Sequence, residues 1–175
     1  MKAITLPASS VGTTPKFEGS GTGVSAIAPA IFNTGNIEAA SGTLDLKAAV
    51  SGAGTGTGTE TVSGASTLEF DASVAATQTV DFSGSGSKLL LDAPTSFHGE
   101  ISGFDTTGAG ANDTIALLGS WSVGAYTENT QGTGGLLALS STSGSISLNF
   151  LGNYQTGTFT PTAGPGGTTL ITFAA

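Results

Sequence analysis

The sequence holds a single histidine, His98, and Asp92, Ser96 and Glu100 stand close to it along the chain. Serine, histidine and a carboxylate are the parts of a nucleophilic triad, in which the imidazole takes the hydroxyl proton and the acid orients the ring. No nucleophile elbow frames Ser96, and serine is scattered along the whole chain. His98 is therefore expected at a surface turn. Asp45 and Glu69 form a second candidate, because an acid and a base carboxylate can together hydrolyse a glycosidic bond. That chemistry needs a cleft and aromatic side chains to hold sugar, and the one aromatic beside them, Phe70, is expected in the interior. Lys47 with Asp71 reads more simply as an exposed ion pair of little energetic weight.

Calcium has one weak candidate. The stretch Gly108-Ala109-Gly110-Ala111-Asn112-Asp113 is the nearest approach to a calcium-binding nonapeptide, and the repeat is not intact. Asp105, Asn112 and Asp113 offer three side-chain oxygens, where calcium takes six to eight ligands. A plain turn is expected there, and no cofactor. The glycines at 52, 54, 56 and 58 have the composition of a phosphate loop without the Lys-Ser/Thr that completes one, so they predict a long corner. Trp121 and Tyr126 have rings suited to stacking on sugar, but Trp121 is expected to pack inside the C-terminal region.

The elements that position these residues are constrained by composition. The chain has 175 residues, 28 of them glycine, with no cysteine and a formal charge of −8. Only 9% of residues are charged. Too few helix formers remain for a bundle, and no thiolate is present for a zinc site or a disulfide scaffold. Four lysines and no arginine leave nothing to neutralise phosphates, so nucleic acid is excluded as a partner. No apolar run is long enough for a membrane-spanning helix, so membrane insertion is not expected. The first residues carry no continuous apolar segment, so no Sec-type signal peptide is visible.

Short alternating segments separated by Gly/Ser breaks begin at Ile31, and period-2 alternation marks strands with one buried face. Three segments repeat: 43–50 reads TLDLKAAV, 67–74 reads TLEFDASV and 88–95 reads KLLLDAPT, with a degraded fourth copy at 113–117. Their starts at 43, 67, 88 and about 113 are separated by 24, 21 and 25 residues. A second strand type lies between them, giving two short strands per period. That is the pattern of stacked coils in a parallel β-solenoid. Leu44, Leu68, Leu89 and Ile115 are expected to form one interior column, and Leu46, Phe70, Leu91 and Leu117 another. Ile37, Val62, Val80 and Ile101 are expected to line the opposite wall. The predicted fold is all-β: a parallel β-solenoid (β-helix) of about four coils over 31–119. A leader over 1–30, flexible or strand-donating, precedes it, and a β-strand cap over 120–175 follows. The alternative is a β-sandwich with the same strand count.

Residues Asn36 to Gly103, with their TLDL, TLEF and KLLL copies, resemble a repeat of large bacterial surface proteins of the β-strand-repeat, autotransporter-like and adhesin-like kinds. Ile101-Ser102-Gly103-Phe104 followed by Asp113-Thr114-Ile115-Ala116-Leu117 resembles their ISGF…DTIDL element. Leu148 to Tyr154, followed by Gly166 to Ile171, resembles their LLGNY…GGTLI element. The resemblance implies a cell-surface or extracellular location, export of the type I kind through C-terminal information, and adhesive, biofilm-matrix or surface-layer roles. At 175 residues the chain is a terminal fragment of such a protein or a minimal relative. The expectation is a secreted, non-enzymatic structural protein that self-associates, head to tail into filaments. An adhesin module binding a carbohydrate or cell-surface ligand is the alternative. A polysaccharide-active β-helix enzyme ranks third, since an arginine-free chain with one histidine lacks the usual catalytic groups.

Overall fold

The computed structural model describes residues 22–104 and 113–175, together with the backbone of Ile4–Leu6 and Lys16–Gly19. The chain winds through three faces in turn. The first turn carries β1 (Ile4–Leu6), β2 (Lys16–Gly19) and β3 (Val24–Ile27). The next two carry β4 (Ile31–Asn33), β5 (Asn36–Ala39) and β6 (Thr43–Leu46), then β7 (Val50–Ser51), β8 (Gly58–Ser63) and β9 (Thr67–Phe70). After a one-residue bridge at Val74 come β10 (Gln78–Ser83) and β11 (Lys88–Leu91). After another at Phe97 come β12 (Glu100–Ser102) and β13 (Thr114–Leu118). Successive turns pair in parallel on all three faces. The architecture is a parallel β-solenoid, not a β-sandwich, with about 4 turns over residues 31–118 and one further level formed by β1, β2 and β3.

In-register stacking sets the interior. On the third face Leu44, Leu68, Leu89 and Ile115 lie one on the next, as do Leu46, Phe70, Leu91 and Leu117. All eight are buried. Each aliphatic side chain so enclosed contributes about 1.5–3 kcal/mol. On the second face the register differs from the expected wall. Ile37 is followed by Glu60, then Val80 and Ile101, while Val62 stands one column over, between Ala39 and Phe82. The cause is Glu60: a carboxylic acid holds the inward place in β8, and the apolar residue of that strand, Val62, lies two positions further on.

Each turn has three faces rather than two. The first face, with interior column Ile31, Val50, Val74 and Phe97, is built from runs of three residues or fewer. Such runs are too short to alternate. The leader boundary at residue 30 falls between β3 and β4, and β1, β2 and β3 lie on the chain's own next turn.

The corners explain the small residues. Between the second and third faces, Gly42 and Gly64 take φ of 63° and 57°, the left-handed region that side chains disfavour. Just beyond, buried hydroxyls satisfy carbonyls that the bend frees. Ser66 Oγ donates to Ala39 O and Ser63 O, both at 2.7 Å, and Ser87 Oγ donates to Gly64 O at 2.7 Å.

Beyond residue 119 the parallel winding stops. Strands β14 (Ser122–Glu128), β15 (Gly134–Ser141) and β16 (Gly144–Leu151) form an antiparallel meander, and β16 extends the second face in parallel with β12. Strands β17 (Thr158–Ala163) and β18 (Thr168–Ala174) form a hairpin whose β18 runs antiparallel to β13. Phe104, Phe150, Tyr154, Phe159 and Phe173 fill the space between these extensions, with ring centroids 4.9–6.4 Å apart in the contacting pairs. This aromatic plug closes the C-terminal end. Pro161 lies in the outermost strand, where a missing amide hydrogen discourages further pairing.

Candidate functional site: an acidic ladder and a buried polar cluster

The third face turns two columns outward. Asp45 lies beside Glu69, and the next rungs place Leu90 and Ala116 in the same column. Just past the strand ends Asp71 and Asp92 follow Lys47 from turn to turn, each amide bonding to a carbonyl of the turn before. Carboxylate oxygens of Asp45, Glu69 and Asp71 lie within 4.8 Å of one another. Lys47 Nζ stands 2.5 Å from Asp45 Oδ2 and 2.9 Å from Asp71 Oδ2.

Electrostatics follow from that crowding. Burial, and then repulsion from Asp45, Asp92 and Asp71, push the Glu69 carboxyl above the usual glutamate range. Burial, then Asp71 and Asp45, do the same to Asp92. Hydrogen bonds to Asp45 and then Asp71 push the Lys47 ammonium up. The ladder has the donor type a hard cation takes, but the lysine ammonium sits between two of the three carboxylates as an internal cation. The face offers no enclosing walls. Three surface depressions described on the structure all touch the cap. One is lined by Gly124, Ala138 and Ser147, another by Trp121 and Pro161, and the third by Phe104 and Tyr154. Their linings hold no carboxylate, histidine or lysine.

The second cluster lies inside. Asn33, Glu60 and Gln78 are fully buried where the first face meets the second. Asn33 Nδ2 donates to Glu60 Oε1 at 2.7 Å and to Thr59 O at 3.0 Å, and Asn33 Oδ1 accepts from Gly35 N at 2.9 Å. Burial pushes the Glu60 carboxyl up to about 8, with the bond from Asn33 pulling the other way. Reading the alternation of Gly58-Thr59-Glu60-Thr61-Val62-Ser63 finds this group: if Val62 points inward, so does Glu60 two residues earlier.

The other candidates fall apart or into structural roles. Asp105 and Asn112 lie outside the described residues. Asp113 is buried, and its Oδ1 accepts the Ser87 amide at 2.9 Å, bracing the corner that Ser66 braces one turn earlier. His98 is exposed at the corner before β12. Asp92 belongs to the acidic ladder and Glu100 accepts from Asn149 Nδ2 at 3.0 Å on another face, so the two acids do not converge on the imidazole. Trp121 is buried in the cap and donates Nε1–H to Leu118 O at 2.9 Å, while Tyr126 packs against Tyr154 and Phe159. Among the described residues no helix is long and apolar enough to cross a membrane. Set against known proteins, the chain matches no protein family and no curated relative.

Proposed function

We propose that this chain is a non-catalytic structural β-solenoid of a bacterial cell surface or extracellular matrix, and that copies associate end to end through the N-terminal turn. The observation that carries this reading is the difference between the two ends. The C-terminal end is closed by the hairpins and the aromatic plug. Among the described residues β1, β2 and β3 are the outermost strands of their sheets, and Val24 on that rim is 69% exposed. An unpaired row of backbone groups is a template for another chain, and a contact between unlike ends repeats without closing. The resemblance of the repeats to bacterial surface proteins supports the location. Sedimentation and negative-stain imaging of the full chain beside a chain starting at Pro29 test the reading. Filaments from the full chain alone are expected. Monomers from both at high concentration overturn it.

A second reading, an adhesin module, is favoured by the outer surface of the second face. Its columns Asn36, Thr59, Thr79, Glu100 and Asn149, and Glu38, Thr61, Asp81 and Ser102, form a flat polar ladder. Side-chain bonds tie the turns, as from Ser102 Oγ to Asp81 Oδ1 at 2.6 Å and from Thr61 Oγ1 to Asn36 Oδ1 at 3.0 Å. Ordered hydroxyls and amides suit a carbohydrate. Glycan-array binding that is lost in Thr61→Lys and Thr79→Lys variants distinguishes this reading from the first.

A further inference from the structure

The interior cluster lacks one hydrogen-bond donor. Asn33 Nδ2 uses both its hydrogens, on Glu60 Oε1 and Thr59 O. Gln78 Nε2 uses both of its own, on Thr77 Oγ1 at 3.1 Å and Asn33 O at 3.4 Å. Two acceptors remain, Glu60 Oε2 and Gln78 Oε1, both enclosed and both without a partner. Exchanging the O and N of Gln78 does not repair this, because it sets a carbonyl oxygen against the Asn33 carbonyl. The groups share one space. Gly58 leaves it open, since a Cβ there would lie 2.6 Å from both Asn33 Nδ2 and Gln78 Oε1. Register places Gln78 opposite Gly58 and Val80 opposite Glu60, so the glutamine and the glutamate are diagonal neighbours on the same inward surface.

We propose that Glu60 is carried as the neutral acid, that its proton is the donor the cluster lacks, and that this proton locks the N-terminal turns onto the rest of the solenoid. The lock is placed to act on those turns. Asn33 belongs to β4, Glu60 to β8 and Gln78 to β10, so the cluster ties three successive turns. An ionised carboxylate enclosed with unpaired acceptors is costly, and the cheapest relief is for water to enter by parting β4 and β5 from β8. The rim that opens is the end through which we propose copies associate, although the lock does not depend on that association.

No fixed charge competes for the role. The charged groups on the surrounding strands are Glu38 on β5, Asp81 on β10, Asp45 on β6, Glu69 on β9 and Lys88 on β11. All five stand at outward positions of their registers. The upward displacement of the Glu60 carboxyl, to about 8 from 4.5, is set by burial. The sign follows. Stabilisation by the protonated cluster is complete below pH 4.5 and is lost as pH rises through about 8.

The test is denaturant unfolding of the full chain and its Glu60→Gln variant from pH 4 to 9. The amide supplies the missing donor permanently. The folding constant of the wild type, divided by that of the variant, is expected to fall by up to about tenfold per pH unit between roughly 5 and 8. Amide exchange at Gly35, Gly58 and Thr59, corrected for intrinsic rates, is expected to speed up at pH 9 in the wild type alone. Parallel pH profiles for the two proteins overturn the proposal. If Glu60→Gln does not fold, carbon-13 titration of glutamate carboxyls in the wild type decides. A resonance titrating above pH 7 that persists in Glu69→Gln supports the lock, and its absence overturns it.

Discussion

Asp45 and Glu69 stand side by side on the outer surface, paired in register across β6 and β9. Neighbouring parallel strands hold their Cα atoms about 4.8 Å apart, within the span a disulfide bridges. The pair Asp45→Cys and Glu69→Cys is expected to oxidise readily in the folded protein and to raise its thermal midpoint. The control pair Asp45→Cys with Leu90→Cys is two turns apart and is expected to stay reduced. A thiol assay on the folded protein reads both.

The acidic ladder gives the protein an acid-favoured stability beyond that of Glu60. Glu69 and Asp92 have carboxyls displaced upward in the fold. Their favourable contribution is present below ordinary carboxyl values and is lost as pH rises through the displaced ones. The thermal midpoint is expected to decline from pH 4 toward neutrality, and to decline less in Glu69→Gln and Asp92→Asn. Added salt is expected to raise the midpoint at pH 7 more than at pH 4, because it screens repulsion among the partly covered carboxylates Glu69, Asp71 and Asp92. Lys47→Met, which strips Asp45 of its cation, is expected to steepen the decline. Scanning fluorimetry across pH and salt measures all of these.

Leu68 occupies the middle of a column bounded by Leu44 and Leu89. Leu68→Ala leaves a cavity that two rigid turns cannot collapse, at a cost of about 2–5 kcal/mol. Urea denaturation followed by circular dichroism is the measurement. The same substitution at exposed Leu136 or Leu151 is expected to change stability by less than about 0.5 kcal/mol.

Phe150 sits at the centre of the plug, in contact with Phe104, Tyr154 and Phe159. Phe150→Ala is expected to cost about 3–5 kcal/mol. It also uncovers the closed end, so in the chain starting at Pro29, which is expected to stay monomeric, the substitution is expected to produce larger species. Unchanged sedimentation together with unchanged stability would contradict the role assigned to the plug.

What could be read from the sequence tracks the length of each strand. The third-face columns are visible because Thr-Leu-x-Leu/Phe runs four residues and recurs with its apolar pair intact. The first face is invisible because a lone Val74 or Phe97 has no alternation. The second face misleads, because Val62 offers an apolar residue while Glu60 holds the inward place opposite Ile37. A buried carboxylic acid breaks the apolar pattern, so only the strict alternation with Val62 points to it. The pairing of Asp45 with Glu69, and of Lys47 with Asp71, followed from the repeat spacing alone. The crowding that displaces Glu69 and Asp92 came only with the coordinates, because it depends on which outward side chains are covered by their neighbours.

The plug gives the molecule an arrow of time. Rings from Phe104 to Phe173 gather where the chain ends, and the turns before them hold mostly one or two aliphatic side chains per strand. A short turn cannot enclose its own apolar face and needs a finished neighbour to grow upon. Among the described residues the largest aromatic cluster is this plug. Growth is then expected to run from the cap toward the first turn, opposite to the order in which a ribosome delivers the chain. A chain halted at residue 118 is expected to show no cooperative unfolding transition by circular dichroism.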